Sequence, residues 1–154
     1  MTVPSASQYT PATLALQQTP YVAATSSPLI ATCVAGTGVT ITSPAGQEAT
    51  GAGTSETPWI LGPFEPQLSR PIHLVLNAIG ASGTAQVLRS TDGGTTMLPI
   101  TSGGAIAGDY AFGLGAPQTG IVVNEPIRTE TDAAATFYLA VTLTAGTLTV
   151  RKAQ

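Results

Sequence analysis

Charged side chains are scarce in this chain of 154 residues, of which Asp, Glu, Lys and Arg together make up 8%. A usual value for soluble domains is about 25%. Gly, Thr, Ser, Ala and Pro take their place, so the surface is polar but nearly uncharged. Because a free monomer normally uses charge to stay soluble, we expect partners to cover much of this surface.

Positive charge is the scarcest, with five Lys and Arg residues against eight Asp and Glu and a net charge of −3. They form no cluster that would displace counterions from phosphate, so we expect no nucleic-acid partner. The first basic residue is Arg70, and we therefore expect neither a secretory signal nor a mitochondrial transit peptide. Polar residues and prolines interrupt the apolar stretches, so we expect no membrane span.

Residues that carry chemistry are equally few. The chain has one histidine, His73, and one cysteine, Cys33, so no intrachain disulfide is possible. A Ser-His-Asp or Cys-His site would have to use His73, which lies in the most apolar run and is expected as a core or sheet-face histidine. Cys33 is expected as a small buried apolar residue, and a zinc site would need more ligands.

The eight carboxylates lie mainly in segments that read as loops, where solvated acids are expected. Two alternatives use them: a glycosidase-type pair, which would also need aromatic residues in a cleft, and a calcium site. Glu130 and Asp132 form the only tight pair, without a calcium-loop motif. The glycine pairs 51/53 and 113/115 lack the lysine of a phosphate loop. We therefore predict no catalytic residue, no cofactor-binding residue, no metal ligand and no cofactor.

Helical periodicity is absent over any three turns, and only Glu130 to Ala135 favours a turn or two of helix. About nine or ten short segments with alternating apolar residues and Gly or Pro turns predict an all-β fold, a jelly-roll-like β-sandwich over 28–154. Prolines divide residues 1–27, which are predicted as an extended N-terminal arm, with a disordered tail as the alternative. The predicted strands are two within 29–42, then 59–61, 72–79, 83–90, 95–100, 110–112, 120–124, 136–143 and 147–151.

The segment 83–101 is the clearest single pattern. Ala85, Val87 and Arg89 would share one face of a strand and Gln86, Leu88 and Ser90 the other, as a period of two requires. Asp92-Gly93-Gly94 would turn the chain into a partner strand over 95–100. The run 136–151 is expected as a second hairpin, with its turn at Ala145-Gly146. Trp59 and Phe64 either cap the domain's own core or form a docking patch, and we favour the first.

These segments resemble a family of small structural proteins of tailed bacteriophages. The family pattern GTVxLxRSxDGGxTW is similar to 83–97, with Met97 in place of the aromatic residue. Its later parts are similar to Asn124-Glu125-Pro126, to 138–142 and to 146–151, so the resemblance covers about 71–154. It implies an oligomeric β-sandwich or jelly roll that is bound to a virion and is not an enzyme.

The function that we expect is that of a capsid decoration, or cement, protein. It would be made in the host cytoplasm, form a homo-oligomer, bind the major capsid protein or another virion protein and stabilise the assembled capsid. The alternative is a fibre, spike or tail component that binds a host-surface carbohydrate. A fibre shaft should show periodic repeats, and this short chain has none, so we favour the first.

Overall fold

The computed structural model describes residues 28–113 and 120–154, and these form an all-β sandwich without a helix. The predicted fold class is therefore confirmed, while the predicted N-terminal arm lies outside the described residues and the jelly-roll connectivity remains a prediction. Twelve strands follow in chain order: β1 (Leu29–Val34), β2 (Gly38–Ser43), β3 (Trp59–Phe64), β4 (Pro71–Asn77), β5 (Ser82–Ser90), β6 (Leu98–Pro99), β7 (Thr101–Ser102), β8 (Ala105–Ile106), β9 (Asp109–Phe112), β10 (Val122–Thr129), β11 (Thr136–Ala145) and β12 (Thr147–Ala153).

Two antiparallel sheets form the layers of the sandwich. Sheet A has the order β10-β4-β12-β1-β2, and sheet B has the order β3-β11-β5-β6, with β9 beside the first half of β5. The strands β7 and β8 form a small separate hairpin. Apolar side chains of both sheets meet in one buried cluster, because alternate residues of each strand point to the same face.

Strand β4 illustrates this alternation and corrects one expectation. Ile72, Leu74 and Leu76 are fully buried, whereas His73 and Asn77 are exposed. The run 72–79 is apolar at most positions of both faces, which would suit a strand buried on both sides, but only one face packs on the core. His73 therefore lies on the outer face of sheet A and not in the core, so its sheet-face placement is the one that holds.

The hairpin predicted over 83–101 is only partly confirmed. The two faces of β5 are as expected, since Val87 is buried in the core and Gln86 faces outward. The return strand β6, however, has only two residues. The reason lies in the connecting loop, where the Ser90 hydroxyl accepts the N–H of Gly94 and the Asp92 carboxylate accepts the N–H of Thr96. These side chains satisfy the backbone that a strand ladder would otherwise pair.

The segment 136–151 is not a hairpin, which corrects a second expectation. Strand β11 pairs with β3 and β5 in sheet B, while β12 pairs with β1 and β4 in sheet A. The turn at Gly146 therefore carries the chain from one layer to the other. The predicted strands 59–61 and 120–124 stop before Pro63 and Pro126. In the structure β3 and β10 continue through these prolines, because both strands lie at edges of the described sheets, where a missing N–H is tolerated.

A substitution at Gly146 tests the importance of this crossing. Gly146 has a φ of 77°, and an added Cβ would overlap the Gly80 carbonyl and lie 2.8 Å from the Ala81 Cα. We expect Gly146→Ala to lower the free energy of unfolding by about 3 kcal/mol in urea denaturation, from backbone strain and overlap together. Gly103 has a similar φ of 60° with open space around it, so Gly103→Ala should lose about 1 kcal/mol. Equal losses would contradict the overlap.

Candidate functional site

Four charged side chains meet at one end of the sandwich, and we call them the Arg89–Glu130 cluster. Arg89 stands at the end of β5 in sheet B, and Arg128 near the end of β10 in sheet A. Glu130 follows β10 directly and is 1% exposed, with Asp132 two residues further on. The cluster therefore joins the two sheets through a buried carboxylate.

Hydrogen-bond donors surround the Glu130 carboxylate. Arg89 Nε lies 2.8 Å from Glu130 Oε2, and Arg128 Nε lies 3.3 Å from the same oxygen. Oε1 accepts the backbone N–H groups of Thr131 and Asp132, both at 3.0 Å, and Arg89 Nη2 at 3.3 Å. Arg89 also donates to the Asp132 carboxylate at 3.2 Å. Every acceptor position of Glu130 is thus engaged with a donor from the protein.

These contacts fix the protonation state of the cluster. The Arg89 hydrogen bonds, helped by the backbone N–H groups of Asp132 and Thr131, lower the pKa of Glu130 to about 2. The pKa of Arg89 is raised by its bond to Glu130. A general acid at neutral pH needs a raised carboxyl pKa, so this carboxylate is suited to holding the two sheets together.

A cleft of about 290 Å³ lies beside the cluster and is lined by Arg89, Arg128, Asp92, Thr96 and Thr101 among others. The Thr96 backbone N–H, with the Ser90 hydroxyl, lowers the pKa of Asp92 to about 2. Asp92 was expected to be a turn residue, and its contacts within the 91–97 loop account for its carboxylate. The residues that line this cleft include no aromatic ring.

Lys152 is a second charged residue inside the sandwich. Its side chain is 0% exposed, and its Nζ has no hydrogen-bond partner among the described residues. Nζ lies 4.9 Å from the centre of the Phe64 ring and 6.0 Å from that of Phe137. Burial lowers the pKa of Lys152 to about 7. The two ring faces favour the charged form and therefore oppose part of this shift.

The other residues singled out in the sequence do not converge on a site. Cys33 is buried, as expected, and burial raises the pKa of its thiol to about 12. Trp59 and Phe64 are buried in the core, so the core-capping interpretation holds and the docking patch does not. Seven carboxylates are exposed, and the described residues contain no group of three or more metal-ligating side chains. The exposed carboxylates are Glu48, Glu56, Glu65, Asp92, Asp109, Glu125 and Asp132.

Sequence reasoning placed Arg89 on the face of Ala85 and Val87 without identifying it as a site residue, and it did not single out Lys152. Arg89 continues the inward stripe of Ala85 and Val87, and Lys152 continues that of Leu148 and Val150. The available signal was the period of two along a strand, which puts each of these charged side chains on the same face as its buried neighbours. The pairing of Arg89 with Glu130, 41 residues away, had no local signal.

The outer face of sheet A is nearly free of charge. The strand registers place Val122, Asn77, Thr149, Thr32 and Thr40 in one row across all five strands. Most of these side chains are exposed, and none is ionisable. Among the described residues of this face, the only titratable side chains are those of His73 and Arg151. The face is therefore mainly a surface of β-branched and amide side chains.

No family model, curated protein or solved structure matches this chain. Among residues 28–113 and 120–154 there is also no helix that is long and apolar enough to cross a membrane.

Removing Arg89 tests whether the cluster joins the sheets. Arg89→Met leaves Glu130 buried with its main partner missing, and we expect a loss of about 3 kcal/mol in urea denaturation at pH 7. Glu130 has a lowered folded-state pKa, so its contribution is present above about pH 4.5 and disappears as the pH falls towards 2.

Arg151 on the outer face of β12 supplies the control for Arg89. Arg151→Met should change stability by less than about 0.5 kcal/mol. Adding Glu130→Gln to Arg89→Met should recover part of the loss, because no unpaired charge then remains buried. A loss at Arg89 no larger than that at Arg151 would refute the role of the cluster.

The buried amine of Lys152 should make the free energy of unfolding depend on pH. Between about pH 7 and 10.5 the unfolded chain holds a proton on this amine that the folded chain has released, so stability should rise with pH through that window. Lys152→Met should abolish the rise and raise stability below pH 7. The buried Cys33 thiol lowers stability as the pH rises above about 9, and it does so in the wild type and in Lys152→Met alike. The quantity to measure is therefore the difference in the free energy of unfolding between these two proteins, by urea denaturation from pH 6 to 10. A difference that is constant with pH would contradict the prediction.

Proposed function

We propose that this protein is a non-enzymatic virion structural protein, a capsid decoration or cement protein that binds the major capsid protein of a tailed bacteriophage. The observation that supports the proposal most directly is the distribution of charge. Five of the thirteen charged side chains are turned inward or held in the Arg89–Glu130 cluster, and the outer face of sheet A has one permanent charge, Arg151.

A sheet face with almost no charge suits a permanent interface. Covering it requires little desolvation of ions, whereas burying an unpaired charge costs several kcal/mol. Thr and Asn side chains offer hydrogen bonds at the same surface, and β-branched methyl groups add apolar area at about 25 cal/mol per Å². We take the row through Thr32 and Thr149 as the centre of the contact with the capsid. The resemblance over 71–154 supports the same assignment.

The internal construction supports a stabilising role as well. The Arg89–Glu130 cluster joins the two sheets at one end, and the Tyr110 hydroxyl donates to the Glu125 carboxylate between β9 of sheet B and β10 of sheet A. Burial, and then the bond to Glu125, raises the pKa of Tyr110, so the hydroxyl keeps its proton to a higher pH than a free tyrosine does. A domain with joined layers resists the shear that a cement protein would transmit between capsid subunits.

The test is an add-back experiment on particles that lack the protein. Purified wild-type protein should bind these particles and raise the temperature at which they release DNA. Thr149→Lys places a charge at the centre of the row and should weaken binding by tenfold or more, about 1.4 kcal/mol. Thr129→Lys, an equally exposed change at the far edge of sheet A, should bind as the wild type does. Particles that neither bind the protein nor gain heat resistance would overturn the proposal.

The alternative, recognition of a host-surface carbohydrate by a fibre, spike or tail component, would use the 290 Å³ cleft. Its Asp92 carboxylate and arginine side chains could hydrogen-bond hydroxyl groups. It offers no ring on which a sugar would stack, so we favour the capsid. A glycan-array screen tests this alternative: a sugar bound by the wild type and lost in Asp92→Asn would support it over the first.

A further inference from the structure

The edges of the two sheets differ in how they are protected against pairing with another chain. Strand β10 carries a proline, two charged residues and a register shift between Pro126 and Arg128. Strand β3 is bridged by Thr50 and contains Pro63. On the remaining side of sheet B the strands are short, with two residues in β6 and four in β9. These are the usual means by which natural sheets avoid edge-to-edge association.

Strand β2 has little of this protection. Its sequence, GVTITS, has no charge, no proline and no lysine, and it pairs only with β1 among the described strands. Its register to β1 is regular from Gly38 to Ile41, and the one shift comes at Thr42. Four consecutive β-branched residues, Val39 to Thr42, give this strand a high β-propensity. No described strand pairs its outer backbone groups.

A second copy of β2 fits this edge by symmetry. In an antiparallel pair, directly opposite residues point to the same face. A twofold axis perpendicular to the sheet and passing through Thr40 places Thr40 opposite the partner's Thr40, and Val39 opposite the partner's Ile41. Val39 and Ile41 both pack against the core, so this register aligns apolar residues with apolar residues and exposed threonine with threonine. A neutral edge also brings no like charges together.

In the same arrangement, the end of β2 in one copy lies beside the start of β2 in the other. A cleft of about 340 Å³ lies at the start of β2, lined by Gly36, Gly38, Gly51, Ala52 and Trp59. With Thr40 on the axis, the partner's Thr42 lies opposite Gly38. The partner's Pro44 would then continue towards the Gly36 side of this cleft. The symmetry repeats the contact, so each copy presents its cleft to the end of β2 in the other.

We propose that two copies of this protein associate through β2, antiparallel and about a twofold axis at Thr40, so that the two five-stranded A sheets become one continuous sheet. The inference concerns the isolated protein and is independent of the proposed function. A short strand pair with two small clefts is at the lower end of interface sizes, so a dissociation constant in about the micromolar range is expected.

Cysteine crosslinking tests both the pairing and its register. Opposite residues of an antiparallel pair have Cα atoms about 4.5 to 5.5 Å apart, within the range that a disulfide spans. Full-length Thr40→Cys should form a disulfide-linked dimer on mild oxidation at tens of micromolar protein, with a yield several times that of Thr129→Cys at the opposite edge of sheet A. Cys33 is fully buried and should not contribute. Equal yields from the two variants would overturn the register.

Sedimentation velocity over a concentration series tests the association itself. Wild type should shift from monomer to dimer as the concentration rises through the micromolar range. Thr40→Lys places two lysines opposite each other at the axis and should raise the dissociation constant at least tenfold. Thr129→Lys should not change the dissociation constant. Thermal melts of the two variants establish that both fold. A wild-type protein that remains monomeric at 100 µM, roughly a hundred times the expected constant, or a dimer that Thr40→Lys leaves unchanged, would overturn the proposal.

Discussion

The strict alternation of side chains along each strand is the constraint on which the rest of this structure depends. This charge-poor sequence fills the inward positions mainly with Leu, Val, Ile, Ala and Phe, which make up all of the 23 buried core residues except Cys33 and Trp59. The same alternation extends past the apolar stripes. It turns Arg89 inward after Val87 and Lys152 inward after Val150, at the end of the sandwich where Phe137 lies beside both.

The two inward charges are accommodated by different means. Arg89 meets a carboxylate that is itself supported by Arg128 and two backbone N–H groups, so the ion pair is hydrogen-bonded on all sides. Lys152 has aromatic ring faces and no anion beside it within the part of the chain that the structure describes, so burial disfavours its charged form directly. The first arrangement ties the sheets together at neutral pH, and the second weakens the folded state whenever the amine is protonated. One end of the domain therefore holds both a stabilising and a destabilising ionic element.

Local patterns predicted most of the strands and, for β5, which residues share a face. The all-β class, β1, β9 and the faces of β5 followed from alternation and from Gly or Pro turns. Partners of strands did not follow, because the turn at Gly146 reads the same whether it closes a hairpin or joins two layers. The 91–97 loop was misjudged because the side chains of Ser90 and Asp92 compete with a ladder for the backbone. The Arg89–Glu130 pairing depends on strands that only the folded chain brings together.

The distribution of charge links the interior to the surface. Because Arg89, Arg128, Glu130 and Asp132 neutralise one another and Lys152 is buried, few ions remain for the outer face of sheet A or for the β2 edge. The row that ends at Thr40 reaches that edge without a charged side chain. Pairing through β2 would therefore extend the row into a second copy and double the area of the neutral face. Two linked faces bind a repeating lattice with greater avidity than either alone, provided that the spacing of the lattice matches. The β2 edge and the outer face of sheet A, although proposed from separate observations, would then act as one surface on a capsid.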